Sequence, residues 1–491
     1  MDGNRKRFAL YISALTLFRL IYINLVPIIP QEAYYWKYAK NLALSYFDHP
    51  PMAAYTIAFF TWIGGDAAFF IRLGCVLYST GMMILLFRCA EELFHDSRLA
   101  LLSAITISCT VMYSIGATFI TPDVPFLFFW TLIVFSLIKL KNSGHARWWY
   151  IAGAALGFAL LSKYTAILIV PGILIYLLLS QSERKWLLTV HPFAASVLAM
   201  IFFMPVILWN YQNDWASFLF QSSRRFSEMN RFRFDFFFQL IGSQLMMLTP
   251  YIFFVTITGW IHSGRMALKR KHDDHALLFW IAAPVIVLFT FSSFRSLVKM
   301  NWLAPAYITA LMAGIAWVYS GRSKMTTKLK KWFKPGLIIG LVLVMIMHIL
   351  PIYPIAPIRR GDTWTGWQEL AERIETLRSE MSENTFIFSH EYKIPSQITY
   401  YSSQHLQTHA GEVIGENGLQ YEFWTDLDRL VGCDAIFVTS NAGKYRKMAR
   451  IEQHFDRVVP VEPVKIDYHS RTFRIFYLYK CYQYKGHQNL P

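Results

Sequence analysis

Apolar runs recur along the chain as far as about residue 350, separated by short polar loops. Many approach the roughly 20 residues that a helix needs to cross a bilayer, and shorter ones serve where a helix is broken or buried among others. About eleven candidate crossings follow from this spacing, near 8–28, 68–92, 99–116, 124–140, 148–161, 164–180, 187–209, 236–261, 276–293, 301–319 and 335–353. The apolar stretch 52–63 reads instead as a helix lying along the interface. Beyond Pro354 the pattern changes. Helix-like stretches at 366–381 and 443–454 alternate with strand-like ones at 385–389, 435–439, 457–466 and 472–482, which predicts a soluble α/β domain. The expected architecture is a polytopic α-helical membrane domain over 1–353 and an α/β domain over 354–491, linked through Pro351, Pro354 and Pro357. No internal repeat is evident.

Charge orients this pattern. Arg5 to Arg7, Arg98, Lys139 to Arg147, Arg184 and Lys185, Arg265 to Lys271, and the run from Arg322 to Lys334 fall on one side if every candidate crosses. The positive-inside rule makes that side cytoplasmic. The N-terminus is then cytoplasmic, and an odd number of crossings sends the tail outside with the loops 29–67, 210–235 and 294–300. Two of these outer loops carry cations against the rule: Arg224, Arg225, Arg231 and Arg233 in one, Arg295 and Lys299 in the other. Such placement suggests that they meet an anion, although contact with lipid headgroups or plain solvation would also suit them.

Composition excludes alternatives. At 55% hydrophobic and 17% aromatic residues, the chain is too apolar for one soluble domain. Its formal charge of +16 sits mainly in short loops, where it fixes orientation and does not mark a nucleic-acid partner. Cys75, Cys89 and Cys109 lie in or beside apolar runs; Cys433 and Cys481 lie in the tail, where they either pair or stay free. No cysteine or histidine spacing calls for a metal, and the question of a divalent ion stays open. The first apolar run lacks a small-residue cleavage site and reads as an uncleaved span.

The candidate chemistry lies at the loops assigned to the outer side. Glu32 closely follows the first run, where a carboxylate can take a proton from an attacking group; capping of a helix is the plainer role. Asp48 and His49 precede Pro50 and Pro51, which fix the chain direction, and a histidine can donate to a phosphate oxygen. Asp123 opens an apolar span, where a carboxylate needs a partner or caps the helix, and Lys163 could pair with it, contact a phosphate, or snorkel. Lys299 and Asn301 precede Trp302 at interface depth. Tyr35 is one of several aromatic residues able to stack on a sugar face.

The order Glu-Ala-Tyr-Tyr-Trp (32–36), Tyr-Phe-Asp-His-Pro-Pro (46–51), Thr-Pro-Asp (121–123), Leu-Ser-Lys-Tyr-Thr-Ala (161–166) and Asn-Trp-Leu-Ala-Pro-Ala-Tyr (301–307) resembles the bacterial protein O-mannosyltransferase-like membrane glycosyltransferases, relatives of the lipid A aminoarabinose transferase. The resemblance implies a C-type glycosyltransferase fold, a polyprenyl-phosphate-sugar donor, a lipid, glycan or protein acceptor, and inverting transfer on the periplasmic face of a bacterial inner membrane. Where the family's first loop reads Asp-Glu, this chain has Gln31-Glu32. Gln31 cannot act as a base, so Glu32 or Asp48 takes that role, or activity is altered. His49 stands where the aminoarabinose enzyme has a phosphate-binding lysine, and Asp123 matches a family carboxylate. Catalytic candidates are thus Glu32, Asp48 and Asp123, with His49, Tyr35, Lys163, Arg224, Arg225, Arg295, Lys299 and Asn301 as substrate contacts. A transporter or flippase for a lipid-linked anion, and a non-catalytic envelope assembly protein, are the competing readings.

Overall fold

The computed structural model describes residues 2–227, 232–269, 273–321, 323–354, 363–440, 448–468 and 471–486, with backbone alone at 223–227. The helices run in chain order as α1 (Gly3–Leu25), α2 (Pro30–Lys40), α3 (Met52–Gly64), α4 (Ala68–Phe94), α5 (Ser97–Ser108), α6 (Val111–Gly116), α7 (Asp123–Ser143) and α8 (Arg147–Ser162). There follow α9 (Ile169–Leu179), α10 (His191–Gln212), α11 (Ala216–Ser227), α12 (Phe234–Leu248), α13 (Pro250–Leu268), α14 (Asp273–Ser292), α15 (Ala304–Tyr319) and α16 (Lys324–Ile349). Two compact units emerge. One joins Met1–Asn24 to Ala43–Ile349; the other joins Leu25–Leu42, which holds α2, to Leu350–Pro491.

Among the described residues of the first unit, α1, α4, α7, α10, α14 and α16 are long and apolar enough to cross a membrane. A seventh span arises if α12 and α13 count as one, bent by 108°. That break has a local cause. Thr249 adopts a positive φ of 69° and Pro250 starts the next helix, so the hydrogen-bond ladder cannot run through. The other expected crossings are shorter helices: the extended Thr110 divides 99–116 into α5 and α6, and Lys163, at φ −158° and ψ 129°, ends α8 between two of the expected crossings. The expected interfacial stretch is α3, too short to span.

Local signals account for several ends. Asp96 caps α5 by accepting from the N–H groups of Arg98 (2.7 Å) and Leu99 (3.3 Å). Gly144 closes α7 in the left-handed region, its N–H bonded to the Leu140 carbonyl. Packing exploits small residues: a Cβ on Gly259 of α13 would lie 2.2 Å from the Cα of Gly314 on α15, so these backbones touch.

The second unit adds α17 (Trp367–Ser379), β1 (Phe386–Phe388), α18 (Lys393–Tyr401), β2 (Thr408–His409), β3 (Ala435–Thr439), α19 (Met448–His454), β4 (Phe455–Tyr468) and β5 (Arg471–Tyr484). The strands order as β2-β1-β3-β5-β4, parallel across β2, β1 and β3 and antiparallel from β3 to β5 and β4. Strand alternation sends Ile387, Ile436 and Val438 toward α17 and α18. It sends Phe386, Phe388, Ala435 and Phe437 toward Ile451 of α19. Edge strand β4 carries Pro460 and Pro463 and register shifts at Val461/Val464 and Ile466/Asp467. Cys433 and Cys481 are both free thiols.

Two outcomes test this packing. Leucine at Gly259 must separate two helix backbones at a cost of about 1–3 kcal/mol, so G259L lowers the melting temperature of the detergent-solubilised protein. Gly242→Ala leaves it unchanged or raises it, since nothing lies within 4 Å of a Cβ there. In the α/β unit, burial, reinforced by Lys37, pushes the His409 imidazole from its usual 6.5 down to about 3. Between those values the unfolded chain binds a proton that the folded chain does not, so stability falls as pH drops through this window. Hydrogen-exchange protection of β1 to β3 in the full chain is expected to fall with it, and less steeply in H409Q.

Candidate active site

The membrane unit brings four distant segments together. Asp123 begins α7, and its carboxylate accepts from the Lys163 ammonium (2.6 Å) on one oxygen and from the Asn301 amide (2.7 Å) on the other. Lys163 stands at the end of α8, where the extended backbone turns the chain, and its ammonium also lies 5.9 Å from the Phe126 ring centre. Asn301 precedes α15, in a turn held by Trp302 N–H to Lys299 O and Ala304 N–H to Asn301 O. The Asp123 and Lys163 side chains are only 19% and 12% exposed, so each charge depends on the other for solvation.

Asp48 and His49 belong to the same neighbourhood. Asp48 is buried, its carboxylate 3.9 Å from His49 Nε2, and its backbone carbonyl accepts from Gln221 of α11 (2.9 Å). Phe47 packs against Phe220, with ring centres 4.6 Å apart, so α11 braces this loop by two adjacent residues. Burial holds the His49 imidazole below its usual value; Asp48 opposes this, Lys163 and Lys299 reinforce it, and Asp123 opposes it. The ring is therefore neutral at pH 7, and with 31% of its side chain exposed it can still meet a ligand. Lys299 is exposed, and Arg295 is exposed on the same loop. Among the described residues the Arg295 guanidinium pairs with no carboxylate. That loop is anchored elsewhere: Phe294 accepts from Arg233 N–H (2.7 Å) and stacks on Phe232 and Phe237.

Arg224 and Arg225 are on α11, but their side chains lie outside the described residues, as does Arg231 altogether. Arg233 meets an anion within its own segment, pairing with Asp235 at 2.6 Å. Glu32 and Tyr35 sit on α2 in the other compact unit. Glu32 is fully buried at the third position of α2 and helps cap it by accepting from Ile29 N–H (3.2 Å). Its neighbour Gln31 has a buried side-chain oxygen with no hydrogen-bond partner among the described residues. Tyr35 is buried, its ring beside those of Tyr34 and Tyr38.

Sequence reasoning missed Gln221 and Lys37. Gln221 is a neutral residue in an amphipathic stretch, with no local mark. Lys37 left a signal, a cation inside the aromatic run Tyr34-Tyr35-Trp36-Lys37-Tyr38. No group of three or more histidine, cysteine or acidic residues among those described could hold a metal.

With this geometry in view, the chain is a multi-pass membrane glycosyltransferase, and the profile of the dolichyl-phosphate-mannose-protein mannosyltransferase family matches its residues 48–209, the span holding Asp48, His49, Asp123 and Lys163. It is related to the lipid A galacturonosyltransferase RgtD of Rhizobium johnstonii, 27% identical over 71% of this chain and 70% of that protein. The undecaprenyl phosphate-alpha-4-amino-4-deoxy-L-arabinose arabinosyl transferase of Serratia proteamaculans is 24% identical over 64% of this chain, which spans little more than half, 57%, of that relative. In fold it matches ArnT from Cupriavidus metallidurans bound to undecaprenyl phosphate, with a TM-score of 0.61 at 13% identity over 96% of this chain and 98% of that one.

If Asp123 and Lys163 act as a pair, each loses its solvation when the other is removed. K163M and D123N should each destabilise the protein, and the double variant should cost less than their sum, with a coupling on the order of 1–3 kcal/mol. Thermal denaturation of the four proteins in detergent measures this; additive effects would refute the pairing.

Proposed function

We propose that this chain transfers a sugar from a polyprenyl-phosphate donor to a lipid acceptor, with inversion at the sugar carbon, on the periplasmic face of a bacterial inner membrane. The observation that carries the reading is the convergence of Asp48, His49, Asp123, Lys163, Lys299 and Asn301 from separate segments of the membrane unit. Relatives whose names specify lipid A and undecaprenyl phosphate-linked aminoarabinose support the donor and acceptor classes. The charge pattern of the loops supports the orientation.

In the reaction, an acceptor hydroxyl oxygen attacks the sugar carbon as the bond from that carbon to the phosphate oxygen breaks. The bonding pair leaves with the polyprenyl phosphate, and the hydroxyl proton passes to a carboxylate. A phosphate is already a good leaving group, so the protein has to supply orientation, one base and cations. Lys163 keeps two N–H donors beyond the one given to Asp123, and Lys299 and Arg295 add charge. His49 offers a neutral ring N–H where a lysine would offer a full charge. Asp123, held from two sides, orients and does not accept the proton. The base is assigned to Glu32, on the resemblance of the first loop.

Purified protein in detergent should turn over a polyprenyl-phosphate sugar, releasing polyprenyl phosphate. Removing the base should cost about 100-fold or more in kcat, so E32Q should be nearly inactive while D48N is less impaired. Activity retained in E32Q and lost in D48N would move the base to Asp48. Full turnover in both would overturn the mechanism.

A further inference from the structure

The second compact unit pairs a short loop helix, α2, with a domain more than 300 residues further along the chain. The attachment is polar as well as apolar, and nearly all of it is buried. Gln397 of α18 donates to Ile28 O (2.8 Å), while Ile28 N–H donates to the Tyr401 hydroxyl (3.0 Å), fixing the chain just before α2. Tyr34 accepts from the Gln420 N–H at 3.1 Å. Lys37, only 8% exposed, donates to the Thr408 carbonyl at the start of β2 (3.0 Å), and its ammonium lies 4.2 Å from the Tyr421 ring centre and 5.5 Å from that of Trp424.

A lysine is an expensive way to fasten a helix. Burying an ammonium costs several kcal/mol unless partners replace its water, and a leucine or methionine would dock α2 at no such cost. What the lysine adds is direction. A hydrogen bond to a backbone carbonyl and two aromatic faces define where the ammonium sits, whereas apolar contacts tolerate sliding and rotation. Lys37 lies five residues beyond Glu32 on the same short helix, so fixing Lys37 fixes the rotation and height of Glu32.

We propose that Lys37 is a positioning residue: the tail domain clamps it between Thr408, Tyr421 and Trp424 so that α2 presents the Glu32 carboxylate in one orientation. This rests on the reading of Glu32 as the base. The tail then serves chemistry through α2.

The test measures donor turnover by the full-length protein in detergent, with wild type, K37M, K37R, Y34F and E32Q side by side. Misplacing a catalytic group by about 1 Å costs on the order of 100-fold. K37M should therefore lose about 10- to 100-fold in kcat, with KM for the polyprenyl-phosphate sugar within about two-fold of wild type. K37R, which keeps a donor and a cation over the rings, should recover part of the loss. Hydrogen exchange should show α2 less protected in K37M while β3 and β5 stay protected. Should K37M not fold, Y34F, which removes the acceptor of the Gln420 N–H, should show a smaller fall in kcat of the same kind. Wild-type kcat in K37M or Y34F with E32Q inactive would overturn the positioning role alone. Full activity in E32Q would overturn the role of Glu32 on which it rests.

Discussion

A carboxylate at the end of an apolar helix has to find partners or forfeit its charge, and Asp123 meets that demand twice. One oxygen takes the Lys163 ammonium and the other the Asn301 amide, so a single side chain ties the start of α7 to the end of α8 and to the turn before α15. These segments are separated by 40 and 178 residues in the chain. The remaining features of the membrane cluster follow from this tie. Lys163 can occupy its largely enclosed position because Asp123 is there, and burial, reinforced by the two lysines near His49, keeps that imidazole neutral. A neutral ring beside a buried Asp48 can donate to an anion without adding to the local charge.

Much of the architecture was legible in the chain, for physical reasons that can be named. Long apolar runs have few alternatives to spanning helices, and the change of period after Pro354 separated the α/β part; β3 coincides with its expected bounds at 435–439. Runs broken by single extended residues were harder. Thr110 is not a strong helix breaker, so α5 and α6 on either side of it read as one crossing, 99–116. Asp123, Lys163 and Asn301 were recognisable because polar groups at the mouths of apolar spans are costly. The Asp123–Lys163 pair was one of the options the sequence left open; the bond from Asn301 was not, since nothing local states which partner that amide takes. The role of Gln221 was hidden for a related reason: it meets a backbone carbonyl, and any residue supplies one.

The division of the first loop illustrates a different limit. Sequence proximity placed Glu32 and Asp48 together, yet compactness assigns Glu32 to the unit of the tail and Asp48 to the membrane unit. The residues responsible, Tyr34 and Lys37, sit in an aromatic run that would look at home in any interfacial belt. Their partners at Thr408, Gln420, Tyr421 and Trp424 lie hundreds of positions away. A long-range polar lock of this kind leaves no periodicity behind.

The outermost strand of the tail sheet carries one more consequence. Proteins held at a membrane meet one another repeatedly, and a long bare strand invites a neighbour's strand to zip against it. β4 is 14 residues long, but its two prolines remove donors, its register slips twice, and Asp456, Arg457, Glu462 and Lys465 interrupt its apolar positions. An incoming ladder would lose step within a few residues. Tail domains crowded over one membrane should therefore stay separate, even where expression concentrates them.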